Sequence, residues 1–207
     1  MDNKTLIKLK KYLIVTIGQI IIGIGCAFMV KSGMGNDPMG VMVSGFSKLT
    51  GVPFGTTTNI VSFVLFAVLL VFYRKRLALS TVITVFAIGW TIDPVVAILN
   101  TFSVPTFVNN YLYPLMGCVI ISFGVAFYLC IDFGASITDN VILMISDFAK
   151  KPYSFGCYTL YAIYVAIGMV TGGVWGYATI LSLVLNGKLI DFMMPFFAKT
   201  VNVWANK

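Results

Sequence analysis

Apolar residues run along this chain in six blocks of about membrane length, at 12–31, 55–73, 77–98, 112–131, 154–172 and 177–197. A helix needs roughly 20 such residues to cross the hydrocarbon of a bilayer, so each block predicts a transmembrane helix. Two further apolar segments, 38–49 and 140–149, are too short to cross easily. Each lies between the first and second block of its half of the chain. The pattern predicts an all-α polytopic membrane protein with six transmembrane helices plus two short half-helices. These make one transmembrane domain over 1–207.

The two halves resemble each other. Moving the stretch Gly18–Gly35 by 99 positions pairs Gly18 with Gly117, Ile21 with Ile120, Ile22 with Ile121 and Gly25 with Gly124. The same shift pairs Ala27 with Ala126, Phe28 with Phe127 and Gly35 with Gly134. A shift of 102 pairs Asp37 with Asp139, Met42 with Met144, Ser44 with Ser146, Phe46 with Phe148 and Lys48 with Lys150. Shifts of 101 and 98 carry Phe54-Gly55 onto Phe155-Gly156, and Gly89 and Asp93 onto Gly187 and Asp191. Matching Gly and Ile is cheap in an apolar chain. Matching Asp and Lys is not, because only 10% of residues are charged. The repeats run over about 12–98 and 112–197.

Charge sets the expected orientation. Cytoplasmic loops of membrane proteins carry the excess of Lys and Arg. With six crossings and a cytoplasmic N-terminus, the inside holds Lys4, Lys8, Lys10, Lys11, Arg74, Lys75, Arg76, Lys150, Lys151, Lys199 and Lys207. The outside holds Lys31 and Lys48. If the short segments also crossed, Arg74–Arg76 would face outward and the bias would weaken. Six crossings are therefore expected, with both termini cytoplasmic. Three crossings per repeat is an odd number, so the halves insert in opposite senses, as a 3+3 inverted-topology repeat. The lysines before residue 12 are followed by no small-residue cleavage site, which fits a first transmembrane helix better than a signal peptide.

Composition narrows the chemistry. The chain is 59% hydrophobic with a mean hydropathy of +0.96, outside the range of ordinary soluble domains. It has no His, and all seven acidic residues are Asp. His-based triads and zinc-hydrolase motifs are thereby excluded, and no enzyme activity, metal or cofactor is expected. The basic residues cluster at span ends, a topology signal rather than a nucleic-acid footprint. Cys26, Cys118, Cys130 and Cys157 sit in apolar stretches without motif spacing and are expected as membrane thiols.

The short segments carry the main candidates. Asp37-Pro38 is a helix-start signature, with Asp at the N-cap and Pro at the first helical position. Thr138-Asp139 begins the second copy, with Asn140 where the first has Pro38. At about 100° per residue, Asp37, Ser44 and Lys48 fall within roughly 40° of one line. Asp139, Ser146 and Lys150 repeat that stripe. It would face water if the segment lies in the membrane interface, or a polar cavity between the repeats if the segment is re-entrant. A substrate pathway would then draw on Asp37, Ser44, Lys48, Asn59, Asp139, Asn140, Ser146 and Lys150. Asp93 and Asp191, late in the third span of each half, are candidates for ion coupling, because an acid within a span is costly unless it faces a partner or water. Lys188, one turn before Asp191, suggests a structural Lys188–Asp191 ion pair. Tyr158, Tyr161 and Tyr164 form a stripe suited to packing or to cavity lining. Gln19 is expected to hydrogen-bond across helices.

Gly23-x-Gly25, the run from Lys31 to Pro38, Gly51-x-x-x-Gly55, the basic turn at 74–76 and Gly89-x-x-x-Asp93 together resemble the YczE/YyaS/YitT-type bacterial membrane proteins, the YczE branch most. The resemblance covers nearly the whole chain. It implies a multi-pass protein of the bacterial cytoplasmic (inner) membrane and points to transport. It supplies no catalytic residues. The expected function is a small secondary transporter or exporter of a small polar or amphipathic solute held between the inverted repeats. If the half-helix N-termini reach the cavity, their dipoles could orient an anionic or zwitterionic group, with Asp37 and Asp139 as caps or as cation ligands. A membrane accessory or scaffold protein, or a substrate-capture subunit of a multi-subunit importer, are the alternatives. The expected partners are the lipid bilayer and a small-molecule substrate, with a homodimer or a partner membrane protein left open and no nucleic acid.

Overall fold

The computed structural model describes residues 3–74, 79–131, 133, 136–151 and 153–205. Lys75, Arg76, Gly134, Lys207 and the first residues of the third predicted span lie outside the described residues, as does the side chain of Lys4. The described residues are helical apart from short connections, and no strand occurs among them.

The helices are α1 (Asn3–Ser32), α2 (Pro38–Thr50), α3 (Phe54–Phe72), α4 (Leu79–Thr101), α5 (Tyr113–Leu129), α6 (Ile137–Ala149), α7 (Tyr153–Val170), α8 (Tyr177–Phe197) and α9 (Val203–Ala205). One π-helical turn, Val108–Leu112, leads into α5, and another, Ala198–Asn202, joins α8 to α9. Four stretches are long and apolar enough to cross a membrane: Thr5–Ser32, Phe54–Phe72, Val108–Leu129 and Tyr177–Ala205. Phe86–Thr101 and Phe155–Val170, in the other two predicted spans, are apolar but shorter. α2 and α6 are the expected short helices, each 13 residues long.

α1 and α5 cross in antiparallel contact at two glycine pairs. A Cβ on Gly18 would lie 3.2 Å from the Gly124 carbonyl oxygen, and one on Gly124 would lie 2.9 Å from that of Gly18. Gly25 and Gly117 block each other in the same way, at 2.9 Å and 2.8 Å. Without side chains the two backbones approach closely, the packing mode that substitutes for a hydrophobic drive between helices in lipid.

Around this crossing the helices sort into two groups. α4 lies along α1 and α8 along α5, with Ile22, Ala27, Ile92, Ile121 and Ala126 among the buried contacts. The second group is α2, α3, α6 and α7, closed over Met42, Leu69, Ile137, Val141, Ile142, Leu160 and Tyr164. The groups join where α3 packs along α4. α7 and α8, the corresponding pair in the second half, barely touch among the described residues.

The short helices end alike but start differently. Both end in a left-handed residue, Gly51 after α2 (φ 71°) and Lys150 after α6 (φ 53°). α2 starts as expected, with Asp37 at the N-cap and Pro38 first. α6 starts earlier than Thr138-Asp139. Ser136 is its N-cap, accepting from the Asp139 amide at 3.2 Å and donating to Asp139 Oδ2 at 2.9 Å. The Ser136 hydroxyl thus satisfies one unpaired N–H of the helix start, and its own bond to Asp139 holds it in place. Asn140, unlike Pro38, keeps an N–H, which donates to the Ser136 carbonyl at 3.0 Å.

Two stability changes are expected, measured as unfolding midpoints in detergent. Gly25→Leu should destabilise by about 1–3 kcal/mol through overpacking against Gly117 and Ile121. Lys150→Gly should stabilise by about 1 kcal/mol, because a side chain is disfavoured at positive φ.

Candidate functional site

A cavity of about 570 Å³ opens between the two helix groups and is lined from all eight helices α1–α8. Its polar lining includes Gln19, Asp37, Thr58, Ser62, Thr84, Tyr128, Ser136, Thr138, Asp139, Tyr158, Tyr161, Ser182, Asn186 and Asp191. Ile22, Ile88, Ile92, Ile121 and Val125 supply apolar wall, and Cys26 and Cys157 place two thiols on it. No Lys or Arg is among the described lining residues.

The starts of α2 and α6 converge here. Thr138 Oγ1 approaches Met39 Sδ at 3.6 Å, linking the two helix starts directly. Asp37 caps α2 without a completed side-chain hydrogen bond to its backbone. Asp139 accepts from Ser136 Oγ and, at 3.2 Å, from the Tyr128 hydroxyl of α5. Each helix start therefore brings its partial positive charge and a carboxylate into one space.

The remainder of the predicted stripe turns elsewhere. Ser44 is buried, donates to the Val41 carbonyl at 2.8 Å and accepts from the Val174 amide at 2.8 Å. Lys48 Nζ donates to the Gly172 carbonyl at 3.0 Å. Together they fasten α2 to the turn that follows α7. Ser146 is buried where α6 meets Gly156 of α7. Lys150 ends its helix, and Asn140 Nδ2 donates to the Ser136 carbonyl at 3.0 Å. Asn59 lies against Gly89 in the contact between α3 and α4. None of these six residues lines the cavity, whereas Asp37 and Asp139 do.

The two late-span acids stand in different surroundings. Asp93 Oδ1 accepts from the Gly55 amide at 2.6 Å. Its Oδ2 accepts from the Thr56 amide at 2.8 Å and from Thr56 Oγ1 at 2.9 Å. The carboxylate of α4 thus caps the start of α3, where the helix dipole favours it. Gly55 and Gly89 face each other beside this cap, each filling the space a Cβ on the other would need. Asp191 is exposed and lines the cavity. No ion pair joins it to Lys188, contrary to the spacing-based expectation: Asp191 belongs to the cavity lining and Lys188 does not. Nothing lies within 4 Å of where a Cβ on Gly187 would sit.

Gln19 does not make the hydrogen bond across helices that was expected of it. Its side chain is fully buried in the cavity wall, and neither Nε2 nor Oε1 has a hydrogen-bond partner. A polar side chain inside an otherwise apolar span was the available signal.

The sequence as a whole matches a family model over residues 9–195. The chain belongs to DUF6198, a family of unknown function. It is 28% identical over 186 residues to the uncharacterized protein YyaS of Bacillus subtilis strain 168, covering 89% of this chain and 92% of that one. An uncharacterized protein of Haemophilus influenzae Rd is 26% identical over 186 residues, covering 88% and 83%. No solved structure matches the chain.

Asp93→Asn should loosen the α3–α4 contact. Hydrogen bonds to a charged group are worth about 1.5–3 kcal/mol in total stability terms, so a fall of that order in the detergent unfolding free energy is expected. Asp191→Asn, which removes no such cap, should change stability far less.

Proposed function

We propose that this protein is a small secondary transporter in the bacterial cytoplasmic membrane, with six crossings, both termini cytoplasmic and its substrate held between two inverted repeats. The observation that carries this reading is the unequal state of two equivalent contacts around one cavity. Gly55, Thr56, Gly89 and Asp93 correspond to Gly156, Cys157, Gly187 and Asp191. The first set is closed by three hydrogen bonds, and the second stands apart. A binding site shut on one side and parted on the other is what alternating access requires.

The inverted repeat draws support from the α1–α5 crossing. Gly18 corresponds to Gly117 and Gly25 to Gly124, and the contacts observed are Gly18 with Gly124 and Gly25 with Gly117. Exchanging the two copies leaves that contact pattern unchanged, the property of a twofold axis. In the charge-based orientation, the Asp93 contact lies toward the outside and the Asp191 contact toward the cytoplasm. The conformation is then inward-open. Asp93 and Asp191 act as gates that take turns capping the starts of α3 and α7. A shift of this kind needs only rocking of α2, α3, α6 and α7 against the other helices.

The test uses a thiol already in place. With Cys26→Ala, the variant Asp191→Cys sets a new thiol opposite native Cys157, as Asp93 stands opposite Thr56. Oxidation in native membranes should cross-link the two in part of the population, read by mass spectrometry after blocking free thiols. Adding Asp93→Asn should raise the yield by unlatching the opposite gate. The pair Thr56→Cys with Asp93→Cys should cross-link readily as the control. If the control pair forms and the 157–191 pair never does, even with Asp93→Asn, the cavity is fixed and the transport reading falls.

A further inference from the structure

We propose that the cavity selects a small organic cation with an apolar body, such as an aromatic or alkyl ammonium. This rests on the transport reading for its consequence but not for its binding test. The sequence pattern alone suggested an anionic or zwitterionic group drawn to the two half-helix starts. The structure brings those starts to the cavity and supplies the opposite charge with them.

The balance of charge decides the sign. Each helix start contributes roughly half a positive charge, so the starts of α2 and α6 together contribute about +1. Asp37, Asp139 and Asp191 face the same space, and no Lys or Arg is among the described lining residues to offset them. The cavity stays negative even with one of the three carboxyls protonated. An anion entering it would meet carboxylates in apolar surroundings, where Coulomb terms are several times stronger than in water. A cation would meet its counter-charge.

The walls decide the body. Ile22, Ile88, Ile92, Ile121 and Val125 favour apolar surface on the ligand. Tyr128, Tyr158 and Tyr161 stand at the same cavity, and aromatic faces attract ammonium groups. Gln19 gives the independent sign that a polar ligand belongs here. It is fully buried in the cavity wall with both amide atoms unpartnered. Leaving such a group unpaired is costly, and a ligand N–H or hydroxyl would satisfy it.

The experiment compares two water-soluble probes of similar size and opposite charge, benzyltriethylammonium and benzenesulfonate. Each is brought to equilibrium by dialysis with the purified full-length protein in detergent, against protein-free micelles. The ammonium should bind saturably, and the sulfonate should not. Asp37→Asn and Asp139→Asn should each weaken ammonium binding by about tenfold or more, and Asp37→Glu should restore much of it. Gln19→Leu should weaken it less. Variants are compared only where gel filtration and unfolding midpoint match the parent. Absence of saturable ammonium binding, equal or better binding of the sulfonate, or unchanged affinity in well-folded Asp37→Asn and Asp139→Asn proteins would each overturn the proposal. The two readings fail separately. Ammonium binding without any 157–191 cross-link would leave a cation-binding membrane protein that does not alternate. Cross-linking without cation preference would leave a transporter of some other solute.

Discussion

The backbones of α1 and α5 touch because glycine faces glycine at both ends of their crossing, and the other helices are arranged about that contact. In lipid there is little hydrophobic force to bring helices together, so dispersion across a close seam must supply the attraction. With the seam fixed, α4 and α8 find places on either side of it, and the cavity forms on the face where Ile22, Ile121 and Val125 meet the second group of helices. A side chain at the crossing would widen the spacing of the two helices that form the back of the cavity, and everything lining it would shift.

The second constraint is the placement of charge in apolar surroundings. Asp37 and Asp139 sit at helix starts and Asp93 caps the start of α3, where the dipole offsets part of the loss of water. Asp93 does so across two elements and so doubles as a fastening between them. Asp191 lacks such a partner here, and that difference separates the two halves more sharply than any difference in their residues.

Much of this was legible in the chain. Rare charges in apolar sequence mark function or topology, and the acids at 37, 139 and 191 do line one cavity. The short helices were visible from their length and from Asp37-Pro38. The facing of Ser44 and Lys48 was not, because their partners are the turn at 172–174, more than 120 residues away in sequence. Helical spacing shows which residues share a face but not what covers it. The start of α6 moved because a Ser three residues before Asp139 makes a reciprocal cap, a local competition that the repeat alignment alone does not reveal. The open and closed contacts could not be read from nearly matched segments, because a conformational state is not a property of composition.

α2 belongs to the first half of the chain, yet Ser44 and Lys48 tie it to the end of α7 in the second. The halves are therefore interlocked rather than laid side by side. Under the inverted-repeat reading, a chain holding only one half could complete this fold only by pairing with a copy inserted upside down, exchanging its short helix with that copy. Such a precursor would need to enter the membrane in both orientations with equal ease, which a strong lysine bias forbids. Fusing the halves removes that conflict. Each half is then free to acquire charges that bias its own insertion, and lysines cluster at the start of α1 in one half and just after α6 in the other.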